Sequence, residues 1–264
     1  MMLIDFHTHA FPEKLASRVM QSLSHSSGGL VPQTDGTLEG LRSQLRQEGV
    51  DRAVLLSIAS NPKQQTNVNN FAIEANKQAD FWAFGSVHPD APDALEELER
   101  LKEAGIQGIK LHPEYQGFYA DDPKMKPIYE KLSQLGLIVL FHAGMDIGFL
   151  PPYHATPKHI LGALKWLDTP VVAAHWGGLS AYPEMVEQLC GIEGLYMDLS
   201  SCYGAIPRPV AQQILDKHGA DRLLFASDMP WQRPSWQLRL LDTLEMTEEQ
   251  REAICWKNAM QLLG

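Results

Sequence analysis

The sequence predicts an α/β fold, a closed (β/α)8 barrel, and three observations lead there. Short apolar runs alternate with longer amphipathic stretches eight times. The connections are short and composition never shifts, so residues 1–264 read as one domain of about the usual barrel length. Polar residues end the apolar runs along the whole chain, and no G-x-G-x-x-G follows the first run. An open doubly wound sheet would gather such residues near one switch point.

The first strand is Ile4-Asp5-Phe6-His7-Thr8-His9, with Ile4 and Phe6 on one face and Asp5, His7 and His9 on the other. Two imidazoles two residues apart on a strand can reach one metal ion. Residues 10–37 form a long polar loop with a short helix near Glu13 to Ser22. Thr37 caps a helix closed by Gly49, and Arg52 to Ile58 is an apolar run of the kind a strand buried on both faces needs. A helix near Val68 to Gln78 leads to the strand Trp82 to Val87, which ends in His88. The charged helix Ala94 to Ala104 leads to Gly108 to Leu111, ending in His112. Pro123 to Leu135 leads to Leu137 to Phe141 and His142; helix 157–167 leads to Pro170 to Ala174 and His175. Helix 181–190 precedes Leu195 to Leu199, and helix 209–218 precedes Arg222 to Ala226, which ends in Ser227-Asp228. Helical stretches near 235–244 and 247–262 complete the chain.

Net charge is −10, which argues against nucleic acid or an anionic membrane as partner and leaves a small-molecule substrate. Three widely spaced cysteines, Cys190, Cys202 and Cys255, fit a reducing compartment and no thiolate zinc site. With no signal-peptide pattern and no apolar run of membrane length, the expectation is a soluble cytoplasmic protein; a homodimer stays open.

In a barrel the strand ends meet at one face, where active sites are built. Six of the ten histidines fall at such ends: His7, His9, His88, His112, His142 and His175. Ile138, Leu140 and His142 share a face, as do Val171, Ala173 and His175, and Leu224, Ala226 and Asp228. With those faces inward, the mouth collects His7, His9, His142, His175 and Asp228, joined by Lys110 and His112. Singly, each histidine reads as well as a hydrogen-bonded cap, and Asp228 as a turn former. Together, four imidazoles and a carboxylate suit one divalent ion, zinc first and manganese or iron as alternatives.

The Ile4–His9 string, Gly108-Ile109-Lys110-Leu111-His112-Pro113, Phe141-His142-Ala143-Gly144, Ala174-His175-Trp176-Gly177-Gly178 and Ala226-Ser227-Asp228-Met229-Pro230-Trp231 together resemble the amidohydrolase superfamily, and within it the aminocarboxymuconate-semialdehyde decarboxylase-like branch. The resemblance implies that His7, His9, His142 and Asp228 ligate one metal, and that His175 stands beside it moving protons. Some superfamily members carbamylate a fourth-strand lysine to bridge two metals; Lys110 is read instead as a cation for a substrate carboxylate.

These parts would serve two reactions. A metal-dependent hydrolase would use activated water on an amide, ester or lactone, with Asp228 passing the proton and His175 steadying the oxyanion. A non-oxidative decarboxylase is the alternative, and a non-catalytic metal-binding barrel the third reading. His112, Trp176 and Trp231 are expected at the substrate beside Lys110, and Phe149, Tyr153 and Tyr203 could add to an apolar lid. Arg208 and Arg233 could each meet a carboxylate or simply lie in solvent. Asp5 could bond a ligand ring or a backbone amide.

Overall fold

Eight parallel strands form the barrel: β1 Ile4–Thr8, β2 Arg52–Leu56, β3 Phe81–Phe84, β4 Gly108–Leu111, β5 Ile138–Phe141, β6 Val171–Ala173, β7 Leu195–Asp198 and β8 Leu223–Leu224. The computed structural model describes residues 2–202 and 204–264, and the counts here refer to those residues. Pairing runs β1-β2-β3 and β4-β5-β6-β7-β8. Two seams close the cylinder. Gly85 joins β3 to β4 through Gly85 N to Gly108 O (3.1 Å) and Lys110 N to Gly85 O (2.8 Å). The β1–β8 seam is made by Phe6 N to Phe225 O (2.8 Å), Asp228 N to His7 O (2.9 Å) and His9 N to Met229 O (2.7 Å).

Side chains fill the cylinder, so it is a core and not a pore. Ile4, Phe6, Val54, Leu56, Trp82, Phe84, Ile138, Leu140, Val172, Ala174, Leu224 and Ala226 pack inside it. The C-terminal helix closes the lower end with Ala259 and Leu263. Gly108 is required here, because a Cβ at that position would run into the Phe84 ring. A second apolar layer, including Leu41, Leu98, Leu132, Met185 and Leu215, lies between barrel and helices. No helix among the described residues is long and apolar enough to cross a membrane.

The inward phase departs from strict alternation in two places that matter. On β1, Ile4 and Phe6 point inside, so alternation alone would send His7 and His9 outward. Between Asp5 and Thr8 the register with β2 shifts, three steps on β1 matching two on β2. That extra residue re-aims the strand end, as bulges do. On β6 the inward residues are Val172 and Ala174, not the expected Val171 and Ala173. His175 is therefore out of phase for the barrel interior. It reaches the mouth because its backbone turns left-handed there (φ 59°), a conformation few non-glycine residues adopt.

Asp5 ties the β1–β8 seam from within. Its Oδ1 accepts from Ser227 N (2.9 Å) and His7 N (3.2 Å), and its Oδ2 from the Ser227 hydroxyl (2.5 Å). The backbone-amide alternative is thus the one the structure adopts. Burial outweighs these hydrogen bonds and pushes the Asp5 pKa from 3.8 up to about 7. A carboxyl with a raised folded pKa contributes most to stability below its unfolded pKa, and that contribution is lost as pH rises through the folded one. Asp5→Asn should therefore gain stability relative to the parent between roughly pH 4 and pH 8. Thermal melts of the two proteins across that range check it, and parallel curves would dismiss it.

Candidate metal centre

The histidine pair on β1 is held from behind. His7 Nδ1 lies 2.8 Å from Asp198 Oδ2, and His9 Nδ1 lies 3.0 Å from Leu56 O. Both partners only accept, so each ring carries its proton on Nδ1 and presents a bare Nε2 lone pair. Those two Nε2 atoms are 3.1 Å apart, and Asp228 Oδ1 is 3.5 Å from one and 3.3 Å from the other. Three acceptors thus face each other with no proton among them. Donors about 2.0–2.1 Å from one tetrahedral ion stand roughly 3.3–3.4 Å apart. The residues fit a divalent cation on this geometry and on their chemistry, two imidazoles and a carboxylate.

Asp228 arrives by a backbone device like that of His175. Its φ is 69°, and its amide bonds His7 O across the seam. Burial pushes its carboxyl pKa up, against the pull of His9. His7, His112, His142 and His175 are all pushed well down by burial, with charges and imidazoles nearby adding to the effect. The neutral ring so favoured is the form that ligates metals.

His142 follows the inward phase of β5 and stands beside the cradle. Its Nδ1 is 3.0 Å from His175 Nε2, and its Nε2 is 3.2 Å from Met145 O. His175 Nδ1 is 2.9 Å from the Ser200 hydroxyl, which also bonds Asp198 Oδ1. Lys110 points up from β4 with Nζ 3.5 Å from His7 Nε2. Burial lowers its pKa to about 8, against the attraction of Asp198, Asp228 and Asp146. None of these carboxylates pairs with it at ion-pair distance among the described residues. His112 Nε2 is 3.2 Å from Asp146 Oδ2, and its ring stacks on His142 at 4.2 Å.

The aromatic expectations divide. Trp176 is 1% exposed and packs in the layer between barrel and helices, so it does not line the mouth. It too has a left-handed backbone (φ 55°), and that turn carries its indole away from the axis. Trp231 is half-buried, its amide on Asp228 O at 2.8 Å. Phe149 packs edge-on against Tyr115, whose ring meets His112. Tyr203 lies outside the described residues. Arg208 bonds Thr243 O and pairs with Glu245, while Arg233 bonds Gln33 and faces Glu48. Both arginines are engaged by the protein. His88 takes the cap role, its Nδ1 accepting from Asp90 N.

Sequence reasoning missed Asp198, Ser200 and Asp146. For the first two a signal existed. In Leu195-Tyr196-Met197-Asp198-Leu199-Ser200 every second residue is polar or amphipathic, and that phase faces the barrel axis. Asp146 gave none, since its role depends on how residues 143–156 fold back over β4.

A family model described as amidohydrolase matches residues 4–264. No curated protein matches the chain. Among solved structures, the 2,6-dihydroxybenzoate decarboxylase from Rhizobium is 18% identical with a TM-score of 0.73, covering 100% of this chain and 98% of its own. A 5-carboxyvanillate decarboxylase from Novosphingobium aromaticivorans, with bound manganese, is 16% identical with a TM-score of 0.72, covering 99% and 97%. A Pseudomonas putida protein assigned as a 2-pyrone-4,6-dicarboxylic acid hydrolase is 18% identical with a TM-score of 0.69, covering 100% and 97%. At such identities the likeness is one of fold. The family match is of another order: it runs from the first strand to the last residue, and on it the chain belongs to the amidohydrolase family and is an enzyme of that superfamily.

Proposed function

We propose that this chain is a metal-dependent, non-oxidative decarboxylase of a small ring-bearing carboxylic acid. The observation that carries the reading is Lys110, a cation 1% exposed beside the His7–His9–Asp228 cradle, with no carboxylate at ion-pair distance among the described residues. A buried charge without a counterion is costly, and a substrate carboxylate is the anion that would relieve it. The decarboxylases among the structures of like fold support the same choice of substrate and reaction.

His7, His9 and Asp228 would hold the ion. His142, whose Nδ1 meets His175 and whose Nε2 meets Met145 O, would join them by turning its ring out of one of these contacts. Zinc suits the donor set, and manganese or iron would serve; the ion supplies a Lewis acid for the substrate's oxygen atoms. Lys110 positions the carboxylate. As the bond to the carboxyl carbon breaks, its electron pair remains on the ring carbon, which takes a proton while carbon dioxide leaves. Asp228, at the cradle, and His175, whose ring lies 5.1 Å from that of His7, are the groups that move that proton. The exchange is one proton for one carbon dioxide, with no redox partner. Hydrolysis of a cyclic ester or amide is the second reading, favoured by the likeness to the assigned pyrone hydrolase.

Zinc- or manganese-loaded protein incubated with ring-carboxylic acids should release carbon dioxide and the decarboxylated ring. A ring-opened product would favour the second reading, and neither product would sink both. His9→Ala and Asp228→Ala should lose bound metal by elemental analysis; full occupancy in both counts against the ligand assignment. Lys110→Met should raise KM for the acid by about 10- to 100-fold with little change in kcat, the worth of one hydrogen bond to a charged group. His175→Ala should keep its metal and lose kcat by about 10²- to 10⁴-fold.

A further inference from the structure

Resting on the reading of a ring-bearing acid as substrate, we propose that Tyr115 is a specificity-determining residue. Its ring is the wall against which the substrate ring packs once the carboxylate lies on Lys110.

Position carries the argument. Lys110 lies on β4, His112 just past its end, and Tyr115 in the short helix Pro113–Gln116 that follows. The Tyr115 ring stands edge-on to His112 with centroids 4.6 Å apart, and the His112 ring stacks on His142 at 4.2 Å. Lys110, His112 and Tyr115 therefore climb one side of the mouth, from the cradle to the rim. Burial pushes the Tyr115 hydroxyl pKa from 10.0 up to about 12, and the charges of Asp146 and Asp228 add to the rise. A side chain within reach of both carboxylates stands over the mouth and not on the outer surface. The body of an acid held at Lys110 runs up this side, and Tyr115 is the first carbon ring beyond the imidazoles.

The wall is fixed before any ligand arrives. Gln116 Oε1 accepts from His112 N (2.8 Å), and its Nε2 donates to Ala59 O (3.1 Å) and Val87 O (2.9 Å), pinning the turn to the loops after β2 and β3. Loop 143–156 is bound to the same turn at three points: His154 N donates to Glu114 Oε1 (2.6 Å), Asp146 meets His112, and Phe149 stands edge-on to Tyr115 at 5.0 Å. A Cβ on Gly148 would lie 3.7 Å from the Tyr115 hydroxyl oxygen, so the loop roofs the ring closely. A ring already ordered costs little further entropy on binding, which makes it an effective selector. The hydroxyl, by contrast, is engaged. Ser26, at the end of the helix Glu13–Ser26, donates to Leu23 O (3.0 Å), which leaves its lone pairs to accept from Tyr115. A phenol that bonded the substrate would have to break that contact, so the ring is the group offered to the ligand.

The test compares benzoate with hexanoate, two monocarboxylates of which only one has a ring, by calorimetric titration of zinc-loaded protein. The parent should bind benzoate more tightly. Tyr115→Leu, which keeps apolar bulk without a ring, should reduce the ratio of the two affinities about 3- to 10-fold, the worth of one aromatic pair. Tyr115→Phe, which keeps the ring, should leave the ratio close to that of the parent. No preference in the parent, an unchanged ratio in Tyr115→Leu, or an equal loss in Tyr115→Phe would overturn the proposal. If Tyr115→Leu does not fold, the Tyr115 ring protons, assigned by their loss in Tyr115→Phe, read the contact in the parent. Benzoate should shift them and hexanoate leave them nearly in place; equal shifts would overturn it. If neither acid binds, this inference and the ring-acid reading fall together. The expected ratio without carbon dioxide from any acid would strike the decarboxylation alone.

Discussion

The seam between the first and last strands is the constraint on which the site depends. His7 and Asp228 are 221 positions apart in sequence, yet the amide of one bonds the carbonyl of the other at 2.9 Å. Two more bonds, Phe6 to Phe225 and His9 to Met229, fasten the same seam, and the buried Asp5 carboxylate stitches it from inside. Closing the cylinder and assembling the cation cradle are therefore one event. A chain that left this edge open would expose strand hydrogen-bonding groups and scatter three converging acceptors.

At the rim, regular geometry gives way where chemistry is needed. The β1 register shift turns His7 and His9 to the axis, and left-handed backbone at His175 and Asp228 brings two more side chains round. Each such conformation costs on the order of 1–3 kcal/mol and persists only where surrounding bonds over-determine it. Those bonds are present. His175 N is held by Asp198, Asp228 N by His7 O, and the turn after β8 by Ser227, whose hydroxyl accepts from Met229 N. The apolar layers below supply the stability that this strain draws upon.

The same departures mark how far the sequence was legible. The strands were readable because their apolar runs are short and end in polar residues; Lys110 and His112 could be paired because β4 alternates without interruption. His142 could be placed for the same reason on β5. His175 was assigned to the mouth on the wrong phase, since no periodicity reveals a single left-handed residue. Trp176 was misplaced by the same turn, seen from its other side. Asp198 and Ser200 sat in a readable alternation but lacked the apolar-then-histidine ending that drew attention elsewhere. The contact of the His142 ring with His175 had no signal in the sequence, because it depends on where the left-handed turn after β6 sends the other ring.

Charge at the mouth gives the arrangement its logic. The carboxylates acting on Lys110 are Asp198, Asp228 and Asp146, set among imidazoles that burial keeps neutral. With all three ionised, their formal sum with Lys110 is minus two. A divalent cation in the cradle would bring it to zero. Low dielectric makes such an imbalance expensive, so the surroundings of the cradle favour a divalent ion as its donor atoms do. Lys110 sets that balance without coordinating the ion: without its charge, the metal-loaded mouth would carry one negative charge in excess.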